Sequence, residues 1–321
     1  MATLQLATWA TNLTYASLTP SVLAAANKSF YNWAGCAIGG FTSQPAPQIA
    51  LNTTLTQFSG PPTSCVLSSN SFISLRYADA QTAALINGIA SHVDDYDDTH
   101  LETIIHPAGP IASALLAIAE AHGPITGHEF ITAFITAFIA GIEAECKLGL
   151  SVSPEHYNTG WHTTSTTGFI GAAISVAKLF NLSTPQIQHA IGIASTHVIG
   201  MQAFFGSDTK ALHIGRAAQT GMLAALLAKN GYTSSLQALE AEYGWLHVVN
   251  TRENAAAYFD QLGTLSSEMQ DSGGCFVHDI KTVDARGNPE VLVLTGKTEP
   301  QDSSQAKFSI YYAAAVALLY G

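Results

Sequence analysis

The sequence predicts a mainly α protein, and three observations carry that expectation. Alanine and leucine recur at three- and four-residue spacing through most of the chain from Ser74 to Lys229. Proline and glycine fall where helices start and stop, as at Pro20 and at Asn230-Gly231. β-prone runs are confined to a short stretch near Cys65 and a region after Ile280. For 321 residues, a prior of roughly 150 per domain gives about two domains. The texture changes near Leu262, which divides the chain into a large helical domain, residues 1–265, and a segment of a second, α/β domain, residues 266–321.

Taken in order, Leu4 to Phe41 reads as two helices broken at Leu18-Thr19-Pro20-Ser21, with Gly35, Gly39 and Gly40 interrupting the end of the second. Residues 42–71 are rich in Ser, Thr, Pro and Gly and show little periodicity; PPTSCVLS within them reads as a short strand or an ordered loop. The helical pattern resumes in RYADAQTAALINGIASH and continues through PIASALLAIAEAHG and GHEFITAFITAFIAGIEAECKLGL. GFIGAAISVAKLFNLS follows, then TPQIQHAIGIASTHVIGM with a Thr184 cap and Pro185, then AAQTGMLAALLAKNG. SSLQALEAEYGWLHVV is expected as one more helix. LSSEMQDSGG reads as a linker, DIKTVDARGNPEVLVLTGKTEP as one or two short strands, and AKFSIYYAAAVALLYG as a closing helix.

Composition excludes several classes of function. A formal charge of −11 with only 12 Lys+Arg argues against nucleic-acid and anionic-membrane partners. The longest apolar segment, Phe130 to Ile142, is too short to span a membrane and ends at Glu143. Cys36, Cys65, Cys146 and Cys275 are far apart and lack metal-site spacing, so they read as reduced thiols. The N-terminal stretch has no basic region leading into an apolar run, and a cytoplasmic protein is expected.

Against a background of 11% charged residues, the stretch SHVDDYDDTHLETIIHPAG, Ser91 to Gly109, packs four aspartates, three histidines and a glutamate between apolar helical segments. A second polar island surrounds His162 in GWHTTSTT, and a third holds Lys210, His213 and Arg216 in SDTKALHIGR. Helix–loop boundaries that repeatedly carry His, Asp and Lys are what an acid–base site between helices requires. His189, His197 and His247 lie on helical patterns instead and read as core or surface residues. DDYDD alone also suggests a metal-dependent prenyl-diphosphate enzyme, but the second metal-binding motif of such folds is not visible.

Four motifs in order, HVDDYDDTH…HPAG, GWHTTSTTGFIGAA, SDTKALHIGRAAQTG and AKFSIYYAAAVALLYG, resemble the MmgE/PrpD family of 2-methylcitrate dehydratases and cis-aconitate decarboxylases. The resemblance runs nearly continuously from Leu4 to Leu262 and patchily beyond. It implies a large all-helical domain, a smaller α/β lid, a homodimer, and no metal or organic cofactor. It also implies site residues: Asp95, Thr99 and His106 from the first island, His162 from the GWH motif, Lys210 from the TK motif, and Tyr312 from the FSxxY motif, with His213 and Arg216 beside them. Where family members carry KPYPxC…H at the start of the lid, this chain reads SEMQDSGGCFVHDIKTV, with Cys275 and His278 as the remaining match. A shortened lid lacking the family's C-terminal part is therefore expected.

In chemical terms the set is coherent. Lys210 can hold a substrate carboxylate as a point charge. His106 and His162 can move a proton at a carbon beside that carboxylate, and Asp95 can orient a histidine and favour its charged form. The expected reaction is dehydration of a citrate-like or alkylcitrate-like acid, with decarboxylation or isomerisation of a cis-aconitate-like acid as the alternative. A non-catalytic homologue, lacking the lid lysine, is the reading from a different class.

Overall fold

The structure is a computed structural model and describes residues 1–68, 76–123, 126–249 and 255–262. These form helices α1 (Ala2–Asn12), α2 (Pro20–Ser43), α3 (Ala46–Gln57), α4 (Ala80–His92), α5 (Ala108–Ala121) and α6 (Gly127–Glu129). Next come α7 (Ile135–Val152), α8 (Glu155–Thr159), α9 (Thr163–Leu179), α10 (Thr184–Ser195), α11 (Asp208–Lys229) and α12 (Trp245–Val248). The single sheet among the described residues pairs β1 (Ser64–Val66) antiparallel with β2 (Arg76–Ala78). The mainly α expectation and the strand near Cys65 both hold. The strands expected after Ile280, and the domain boundary at residue 265, lie outside the described residues. No described helix is long and apolar enough to cross a membrane. Cys36 and Cys65 are free thiols.

Local chemistry sets most helix ends. The Thr19 hydroxyl caps α2 by accepting from the Val22 amide at 3.3 Å, with Pro20 at the first helical position. Asp79 caps α4 by accepting from the amides of Gln81 and Thr82, both at 3.0 Å. The cap of α10 is Ser183, not Thr184: Ser183 and Gln186 form a reciprocal capping box.

Three further expectations are corrected. Residues 46–57 are helical despite their weak periodicity, because prolines at its first turn start α3 and Leu51 anchors it in the core. Arg76 to Ala78 pairs with β1, so α4 begins only at Ala80. SSLQALEAEYGWLHVV is not one helix: its helical part is only Trp245–Val248. There the chain doubles back, with the Trp245 amide donating to the Ala238 carbonyl at 2.8 Å and the Leu246 amide to Leu239 at 3.0 Å. The Thr3 hydroxyl accepts from the Leu239 amide at 3.1 Å, so a tertiary contact with α1 outweighs helix propensity.

α9 packs between α7 and α11, and α11 also packs against α4 and α5. The α4–α11 crossing sets the geometry of the site, since it brings the C-terminal end of α4 to the N-terminal half of α11. Two glycines permit it. A Cβ on Gly88 would lie 2.7 Å from the Gly215 Cα, and one on Gly215 would lie 2.3 Å from the Leu85 carbonyl oxygen. Gly215→Ala is therefore expected to destabilise the fold by about 1–3 kcal/mol, the usual cost of overpacking. Urea denaturation checks this, and an unchanged midpoint would show that the crossing has slack.

Candidate active site

The first polar island is built as a closed loop between α4 and α5. α4 ends at His92, and the Asp95 amide donates to the His92 carbonyl at 3.1 Å. Asp95 itself takes φ +61°, a left-handed conformation that aspartate tolerates better than most residues. The loop closes where the His100 amide donates to the Ile105 carbonyl at 2.8 Å, which places His106 against Asp97 just before α5. The His106 amide in turn donates to the Thr164 hydroxyl at 3.2 Å, tying the loop to the first turn of α9.

These restraints gather side chains from three islands. The Lys210 ammonium, from α11, donates to Asp95 Oδ1 at 2.5 Å. The same oxygen lies 3.8 Å from His92 Nε2 and 3.9 Å from His106 Nε2. His162, at the start of α9, stacks on His92 with ring centroids 5.9 Å apart, and its Nδ1 pairs with His213 Nδ1 at 3.1 Å. One ring of that pair donates and the other accepts. Phe205 lies 5.0 Å from the His162 ring and 5.1 Å from the Lys210 ammonium, which links the two. Thr99 reaches His106 Nδ1 only at 3.4 Å.

So the structure brings together Asp95, Thr99, His106, His162, Lys210 and His213. Arg216 does not join them. Its side chain is exposed and donates to Gln219 on its own helix. Tyr312, Cys275 and His278 lie outside the described residues. His92 and Asp97 belong to the cluster although no motif singled them out. His92 Nδ1 meets Asp97 at 2.8 and 3.0 Å, with both side chains 0% exposed. Their signal is burial inside an island otherwise read as loop, and that is invisible before the loop folds back on α4.

Exposure orders the cluster by depth. Asp95, His106 and Lys210 keep 24%, 11% and 9% of their side-chain surface, while His92 and Asp97 keep none. A ligand entering from solvent meets the first three.

Environment sorts the protonation states. Burial opposes charge on His106, but the Asp97 carboxylate, its hydrogen bond and Asp95 outweigh it, so its pKa is raised. Burial wins at His92, which is lowered despite Asp97. Burial and the Lys210 charge hold His162 well below the ordinary histidine range, and burial takes His213 down to about 4. Burial works to raise Asp95, but Lys210 and the two histidines prevail and lower it. Asp97 is held low by His92 and His106 against its own burial. Burial pushes Asp98, the next carboxyl along the chain, up to about 7.

His92, Asp95, Asp97 and His106 also have the donor chemistry of a metal site, their ligand atoms lying within 4.8 Å of one another. Here Asp95 is already paired with the Lys210 ammonium, and Asp97 is engaged by both imidazoles. A divalent ion would have to displace these contacts. The arrangement suits proton transfer beside a bound carboxylate.

A mainly helical domain that gathers an Asp–Lys pair and several histidines at one crossing has the groups that acid–base chemistry uses, and comparison with known sequences gives it a family. The MmgE/PrpD N-terminal domain matches residues 4–257, and the chain belongs to that family. Among curated relatives, the cis-aconitate decarboxylase of Homo sapiens is 35% identical over 165 residues, 51% of this chain and 34% of that protein. That of Mus musculus is 34% identical, with 51% and 33% covered. That of Aspergillus terreus is 32% identical over 178 residues, with 54% and 36% covered. The matched stretch thus spans about a third of the length of these relatives.

Proposed function

We propose that this chain is a lyase acting on a small polycarboxylic acid by acid–base catalysis. The observation that carries the reading is the meeting of a lysine ammonium, a histidine favoured in its charged form and neutral histidines at one partly open position. Lys210 seats a substrate carboxylate beside Asp95 as a point charge. His106 supplies a proton through Nε2, and His162, neutral, accepts one.

We place decarboxylation of a cis-aconitate-like acid first, a reading supported by the names of the relatives, which reverses the order expected from the sequence. In that reaction the bond to the departing carboxylate breaks and carbon dioxide leaves. The electron pair moves through the double bond to the carbon that takes the proton from His106. Dehydration remains the second reading, favoured by a lowered His162 and a raised His106 on either side of His92, because dehydration needs a base as well as an acid.

The test is to incubate the purified protein with cis-aconitate, citrate, 2-methylcitrate and longer alkylcitrates while following carbon dioxide release and enoate absorbance. Carbon dioxide from cis-aconitate supports the first reading, and enoate formation from a hydroxy acid supports the second. No turnover of any of them, by a protein that melts cooperatively, would favour a non-catalytic homologue. A homodimer formed through the helical domain is part of the same proposal. Light scattering that shows a stable monomer at micromolar concentration would count against it.

A further inference from the structure

Asp97 and His92 sit at the centre of the cluster, and the chemistry proposed above gives them no part. Asp97 is fully enclosed, and both its oxygens face His92 Nδ1, at 3.0 and 2.8 Å. Its Oδ1 also lies 3.3 Å from His106 Nδ1, and its backbone carbonyl is another 3.3 Å acceptor for the same nitrogen. Each ring offers Nδ1 to one carboxylate, so each turns Nε2 the opposite way, and both Nε2 atoms point towards Asp95 Oδ1. The rings meet edge-on with centroids 4.7 Å apart. His92 Nε2 is buried without a hydrogen-bond partner, so nothing fixes that ring except Asp97 and its packing. We propose that Asp97 is the positioning residue of this site, holding His92 and His106 through their Nδ1 atoms so that His106 presents an Nε2 proton to the substrate while His92 stays neutral behind it.

The proposal rests on the lyase reading for its kinetic consequences, but not for its geometry. Two adjacent imidazoles cannot both be charged at low cost, and one carboxylate neutralises one imidazolium. The proton belongs on His106, which keeps 11% of its side-chain surface and faces Asp95 as well as Asp97, and these carboxylates raise His106 while His92 stays lowered. The charged and titratable groups facing His106 are Asp95, Asp97 and Asp98 of its own loop, His92 at the end of α4, His162 at the start of α9 and Lys210 of α11. Asp97 is the one that meets Nδ1 directly. A bidentate contact with His92 also fixes the tilt of the carboxylate, and so the angle at which it meets His106.

Asp97→Asn is the test. The amide keeps the shape and one acceptor, but it removes the charge and turns a donor towards one of the two rings. Side-chain nitrogen NMR of the full chain at neutral pH should show, in the wild type, both nitrogens of His106 protonated and a bare Nε2 on His92. In Asp97→Asn, His106 should become neutral. A wild type with neutral His106, or with His92 bare at Nδ1, overturns the proposal whether or not the protein turns anything over. It also decides the matter if the variant does not fold. Where wild type is active, Asp97→Asn should lower kcat about 10²–10⁴-fold with KM little changed, the range expected when a histidine loses its orienting carboxylate. The alkaline limb of the pH profile should move to lower pH, since the charged form of His106 has lost its support. Asp98→Asn is the control: that neighbouring buried carboxyl also acts on His106 through its charge, but its hydrogen bond comes from Ser29, so its loss should move the pH limb less. An equal displacement of the pH limb by Asp98→Asn would also overturn the proposal.

Discussion

Replacing His106 with alanine is expected to lower kcat about 10²–10⁴-fold on whichever polycarboxylate the wild type converts, the usual contribution of a positioned acid. KM should change far less, because His106 donates its proton in the transition state rather than holding the ground state. His106→Gln keeps an N–H for Asp97 and separates loss of the proton from loss of packing; it should be nearly as slow. The wild-type rate should fall on the alkaline side. His106 has a raised pKa, so its charged form persists through lower pH and disappears as pH climbs past that value. Steady-state kinetics across pH, with melting curves for each variant, check all of this. A His106→Gln enzyme with wild-type kcat would remove His106 from the chemistry.

Lys210→Ala should act on affinity as well as rate. Its ammonium sits directly on the Asp95 carboxylate, at 2.5 Å. A charge-assisted hydrogen bond is worth about 1.5–3 kcal/mol, so KM should rise about 10- to 100-fold, with kcat falling too. Lys210→Arg should recover only part of this, since a planar fork does not reproduce a compact ammonium stacked on Phe205. His189→Ala is the control: that ring accepts from the Ser234 amide at 3.0 Å, away from the cluster. Equal losses in the control and in Lys210→Ala would mean that both reflect folding and not the site.

The helical frame was legible because its signals are local. Spacing, Pro20 and the Asn230-Gly231 stop are all read within a turn or two of sequence. The failures are those where a distant partner decides. α3 is held by burial of Leu51 rather than by periodicity, and residues 236–243 turn back because Thr3 captures the Leu239 amide. The π-helical turn at Phe130–Phe134 lies inside a segment whose pattern reads as ordinary helix.

The same division holds in the site. Asp95, His106, His162 and Lys210 could be named because their islands interrupt apolar helices and match family motifs. Arg216 shares an island with Lys210 but faces solvent; Lys210 and His213 lie on the buried face of α11, three residues apart. Asp97 was hidden among four aspartates in one short loop, and only the fold distinguishes the one that both histidines share.

The most direct test of a polycarboxylate site at this crossing is a titration of cis-aconitate into the isotopically labelled protein, followed through the histidine side-chain nitrogen resonances. His106, His162 and His213 should shift together along one saturable binding curve, and Lys210→Ala should abolish that curve while leaving the melting temperature within a few degrees. Shifts confined to exposed histidines such as His128 or His247, or a curve unaffected by Lys210→Ala, would show that the cluster does not bind the acid.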